Sequence, residues 1–150
     1  MAAYQGRYSK VTLGSNKISG MGTWSLTGVT ADQVEVSQFG DNWKSFVFGM
    51  KDGGTVSISG YADPSDTTGQ QALMAANLAN TNITNLQIYI NSTSYFMPCQ
   101  TTGYFSPTTT TGADTQASYV NVTSFNMNTD KSNLLQISFD MKVSGVMVLV

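Results

Sequence analysis

Apolar and polar residues alternate along most of this chain, and a period of two marks half-buried β-strands. Arg7–Leu13 reads as a first strand and Gly14–Lys17 as a turn. In Met21–Val29, Met21, Thr23, Ser25 and Thr27 fall on one side and Trp24 and Leu26 on the other. Asp32–Phe39 sets Val34 and Val36 against Glu35, and Gly54–Ala62 sets Val56 and Ile58 against Ser57 and Ser59. Asn85–Asn91, Ser94–Cys99, Ala117–Asn128 and Leu134–Val143 continue the pattern. In the last of these, Leu135, Ile137, Phe139, Met141 and Val143 make one apolar face. Gly145–Val150 is a further apolar strand, an aggregation hazard unless it is covered.

Three stretches break the alternation. Residues 67–79 are alanine-rich, with Leu73, Met74, Asn77 and Leu78 at helical spacing. This predicts one helix with Asp66 as its N-cap, where a carboxylate meets both free amides and the helix dipole. Residues 105–116 are a threonine-rich loop. Residues 39–54 hold aromatic clusters bounded by glycines and predict a long loop. The fold class that follows is mainly β: a β-sandwich or barrel with one flanking α-helix in a single domain spanning 1–150.

Composition narrows the function. Charged residues are 11% of the 150 positions, against about 25% in ordinary domains, and hydroxyl and amide side chains fill the polar faces instead. The net charge is −2 and the seven basic residues are scattered, so no cluster neutralises several phosphates together. No histidine is present, which removes the commonest general base and metal ligand. Cys99 has no imidazole to activate it and reads as a small buried hydrophobe. Asp63 and Asp66 are the nearest carboxylate pair, but they read as turn residue and helix cap. They lack the further oxygen ligands of a calcium loop. These residues therefore predict no catalytic site, no cofactor and no metal. The opening residues show no signal-peptide pattern, and three glycosylation sequons (Asn82, Asn91, Asn121) match chance. Trp24 reads as core, whereas Trp43 lies where it could stack on a sugar.

The stretch Thr23–Leu73 resembles the major tail protein, or tail tube protein, of long-tailed bacteriophages. The shared pattern is a W-x-L strand, then a strand ending in F-G-D, then Trp43, an apolar loop and a G-M-K turn. A strand ending at Gly60 follows, then Asp63, Asp66, Gln70 and Leu73 leading into the helix. "DMKVSGVMVLV" is similar to that family's closing strand. The resemblance implies a sandwich or barrel with a flanking helix, related to type VI secretion ring proteins. It implies hexameric rings stacked into a hollow tube in a virion tail, assembled in the host cytoplasm along a tape-measure protein. Tail terminator and distal tail proteins would be further partners, with DNA passing in transit and not tightly bound. Asp63, Asp66, Gln70 and Leu73 carry over as cap and packing positions only.

On this reading the 39–54 segment is an arm that reaches a neighbouring subunit. Phe39, Gly40, Asp41, Trp43, Phe46, Phe48 and Met50 are its interface residues, and Gly40 and Gly53-Gly54 are its hinges. The competing reading is a loop folded on its own core. At the level of function, the alternatives are a type VI secretion-like ring protein, a phage head-decoration protein and a carbohydrate-binding β-sandwich.

Overall fold

A computed structural model describes residue 3 and residues 5–100, 118–132 and 134–150. The expected threonine-rich loop at 105–116 lies outside the described residues. A short 3-10 turn, Gly6–Tyr8, stands where the first strand was expected to begin. The elements that follow are β1 (Val11–Leu13), β2 (Asn16–Lys17), β3 (Met21–Thr27), β4 (Thr30–Glu35), β5 (Phe46–Asp52) and β6 (Thr55–Tyr61). After these come α1 (Gln70–Ala79), β7 (Leu86–Tyr89), β8 (Tyr95–Pro98), β9 (Tyr119–Asn128), β10 (Gln136–Ser144) and β11 (Met147–Leu149).

Two antiparallel sheets face each other across one core. The first runs β11-β8-β7-β1-β2 and the second β3-β6-β10-β9, each open at both edges, so the architecture is a sandwich and not a closed barrel. The second sheet supplies Val56, Ile58, Val120, Val122, Ile137, Phe139, Met141 and Val143 to the core. The first supplies Val11, Leu86, Ile88 and Met147. Trp24 and Leu26 pack at its margin, as their shared side of β3 predicts. Serine, threonine and asparagine occupy the alternate positions, so the outer face of the four-stranded sheet is almost uncharged. Its acid, Asp140, accepts bonds from the Ser57 and Ser124 hydroxyls at 2.8 and 3.3 Å.

The helix lies against β9 and buries Leu73 and Ala76. It starts three residues later than the spacing predicts, at Gln70, and Gly69 rather than Asp66 holds the N-cap position. The reason is that Asp66 serves two elements. Its Oδ2 accepts from the Gln70 amide at 3.0 Å and from the Ser19 amide at 2.8 Å. The carboxylate thus relieves one free helix amide from an extra turn upstream while tying that turn to the β2–β3 connection. A Cβ at position 69 would collide with this carboxylate, which accounts for the glycine. At the far end Asn80 adopts a left-handed conformation (φ 52°) and closes the helix.

Gln70 is itself buried and fully paired. Its Oε1 accepts from the Asp63 amide at 2.8 Å, and its Nε2 donates to the carbonyls of Ser19 and Tyr61 at 2.7 and 2.8 Å. One side chain thereby fastens the helix to both β6 and the β2–β3 connection. Gly145–Val150 is not an uncovered strand: β11 pairs with β8, Met147 enters the core, and Val150 exchanges both backbone bonds with Tyr95.

Candidate assembly interface

The segment expected as a long loop is half strand. Residues 46–52 form β5, which pairs with β4 in a two-stranded hairpin, and the irregular part shrinks to the tip at 36–45. The cause lies in the register. β3 pairs with β6 through Thr27↔Thr55, and β4 pairs with β5 through Thr30↔Asp52, three residues further along on both strands. The arm is therefore a continuation of the β3–β6 pair beyond the edge of the sandwich. Its reach is roughly 25 Å at the usual rise per residue, half of what a fully extended loop would span.

The break between the two ladders falls at Gly28 and Gly53-Gly54. Gly28 (φ 76°) and Gly54 (φ 88°) both take the left-handed region, so the bend needs glycine on each strand. The bend is clamped. Asp52 Oδ1 accepts from the Gly54 amide at 2.8 Å and from the Lys142 ammonium, and Lys142 also donates to the Gly54 carbonyl at 3.2 Å. The Lys142 bond, and after it the Gly54 amide, holds the Asp52 carboxyl below its ordinary value. Gly53 packs against the Gly145 backbone and Val143, leaving no room for a side chain. The expected hinge at Gly53-Gly54 is thus a fixed corner. Gly40, expected as the second hinge, sits in the tip with φ 95°, and Gly28 forms the other half of the corner.

The tip is ordered by its own polar groups. Asp41 Oδ2 accepts from the Gln38 amide at 2.7 Å, Ser37 Oγ accepts from the Ser45 amide at 2.8 Å, and the Val36 amide bonds to the Ser45 carbonyl. Asp41 makes the turn of the tip.

Both faces of the hairpin expose large apolar side chains, set among the polar residues Asp32, Gln33, Glu35 and Lys51. Phe46 and Phe48 share one side of β5, opposite Glu35 and Gln33, and a register shift separates Met50 from that row. Val47 stands opposite Val34 on the other side, with Val36 further along. Phe39 and Trp43 project from the tip, and Trp43 is 87% exposed. None of the aromatic interface residues expected from sequence enters the subunit's core. Val34 and Val36, expected to lie on a half-buried strand, are exposed, as is Val47. Their alternation was visible, but it does not say whether the covering surface belongs to the same subunit. A free two-stranded hairpin is marginal in water, and this one is held only by its corner.

Elsewhere, the carboxylates of Asp63 and Asp66 both reach Ser19, the first through its side chain and the second through its amide. Asp63 accepts from the Ser65 hydroxyl and amide, which lowers its pKa, while Asp66 is taken up by Ser19 and Gln70. No group of three acidic, cysteine or histidine side chains is gathered among the described residues. Cys99 is buried.

No family model and no curated protein matches the sequence. Solved structures share its fold along its whole length. A chain in the virion of a native gene transfer agent particle superposes with a TM-score of 0.71 at 13% identity, covering 99% of both chains. A chain in the tail of an empty gene transfer agent particle, refined helically with C6 symmetry, gives 0.71 at 14% identity and the same coverage. A chain in the sheath/tube terminator of the PVC extracellular contractile injection system, in its extended state, gives 0.68 at 9% identity. The match covers 100% of this chain and 98% of that one. At such identities the likeness is one of fold, and the fold is that of tail components of phage-like particles.

Proposed function

We propose that this chain is a structural subunit of a phage-like tail tube. It assembles with copies of itself into rings, six to a ring, which stack into a hollow conduit. The observation that carries this reading is the arm: a hairpin with large apolar side chains exposed on both faces and at its tip, and fixed at its base so that it projects. Such an element is stable only when neighbouring molecules cover it. The shared fold supports the same reading. The subunit needs shape and edges, not reactive groups, so its role is not enzymatic. Its setting is the virion tail, with a tape-measure protein and tail-end proteins as partners and DNA in transit.

Tube termination is the second reading, supported by the terminator likeness. Negative-stain electron microscopy of the concentrated protein tests both. Tubes of stacked rings support the tube subunit, and isolated rings support the terminator. A chain that remains monomeric at every concentration, with and without a tape-measure segment, overturns the proposal.

A further inference from the structure

The arm leaves the four-stranded sheet at its Thr27–Thr55–Lys142 end. At the opposite end, where Tyr61, Gln136 and Asn128 form the last rung, lies an open groove of about 410 Å³. Gly22, Thr23, Ser59, Asn126 and Ser138 are among its other lining residues, and no charged residue lines it. Tyr61 and Leu134, 53% and 67% exposed, stand at this same end of the sheet. The two poles are about 20 Å apart along β6.

We infer that this groove is the socket for the arm of a second copy, so that subunits join head to tail through it. The inference rests on the tube reading and names where the arm docks. Three observations carry it. First, the arm's apolar side chains expose on the order of 1,000 Å², comparable to the share of about 800 Å² that each partner brings to a stable interface. Second, the groove matches what the arm presents. It suits the arm's tip side chains: its amide and hydroxyl groups offer acceptors for the Trp43 indole N–H while Tyr61 offers a ring. Third, donor and acceptor occupy opposite poles of one chain. That makes the contact heterologous, and a heterologous contact propagates into an open stack instead of closing as a pair.

Gly22 allows a clean test, because a Cβ added there meets no atom within 4 Å. Gly22→Phe should fill the groove while the subunit still folds, and Tyr61→Glu is a second socket variant at an exposed position. Either socket variant, and separately the arm variant Trp43→Ser, Phe46→Ser, should fail to stack under conditions where the unaltered chain does. All should melt with the unaltered chain. Mixing a socket variant with the arm variant leaves one sound arm facing one sound socket. Light scattering should then show a species of twice the starting mass and nothing longer. Normal stacks from both socket variants, or no doubling in the mixture, overturn the socket while leaving the tube reading intact. An unaltered chain that never assembles overturns the tube reading and the socket with it.

Discussion

At the scale of single residues, burial separates side chains that hold the fold from those offered outward. Phe139 is fully buried in the middle of β10, between Ile58 and Phe125 on the flanking strands. Phe139→Ala should cost about 3–5 kcal/mol, read from denaturant unfolding. Gln70→Ala removes three bonds at a buried junction and strands the carbonyls of Ser19 and Tyr61. A loss of about 2–3 kcal/mol is expected in the same assay, more than loss of an exposed glutamine explains. The Asp52–Lys142 clamp carries a pH signature. Because the Asp52 carboxyl is lowered in the folded state, its contribution is present above the ordinary value of 3.8. That contribution is lost as pH falls through the depressed value. The corner should therefore keep its geometry throughout the neutral range and loosen only in strong acid. Hydrogen exchange at Gly54 would follow this, with Lys142→Ala loose at all pH values.

At the scale of elements, the arm and the closing strand make opposite predictions. The arm contributes nothing to the buried core, so the double change Trp43→Ser, Phe46→Ser should leave the monomer's melting temperature unchanged and abolish tubes in electron micrographs. A collapsed melting temperature would mean that the arm folds back on its own subunit in solution. Strand β11 is part of the subunit, since Met147 lies in the core and β8 is its partner. Removing Gly145–Val150 should lower the melting temperature by several degrees and reduce solubility, because it bares the edge of β8.

For the whole molecule, the outward faces are hydroxyl and amide with few charges, and the basic residues never gather. A conduit should let nucleic acid pass without holding it. Binding to free duplex DNA should be no tighter than about 10⁻⁴ M at physiological salt, measured by salt-titrated anisotropy. Micromolar binding would contradict a conduit. Stability should also be indifferent to chelators, since Asp63 and Asp66 are already taken up by the Ser65, Ser19 and Gln70 donors.

The alternation of apolar and polar residues and its breaks were enough to determine the longer strands of the sandwich, their inward faces and the existence of one helix, whereas β2 (Asn16–Lys17) lies in a stretch expected as a turn. Period and face are local properties: Val56 and Ile58, or Ile137 and Phe139, point the same way whatever lies opposite. The aromatic cluster around Trp43 is legible for the same reason, since its spacing is written in the chain. Three things needed the tertiary structure. The helix start moved to Gln70 because Asp66 is shared with Ser19, a residue 47 positions away. The supposed loop became β5 because β3–β6 pairing carries its register onward into β4. The corner at its base depends on Lys142 and Gly145, which only the folded chain brings beside Asp52 and Gly53. Sequence records which side chains are apolar. Whether an apolar face finds its cover within the subunit or must wait for a neighbour is decided by long-range packing, and here that packing leaves the arm bare.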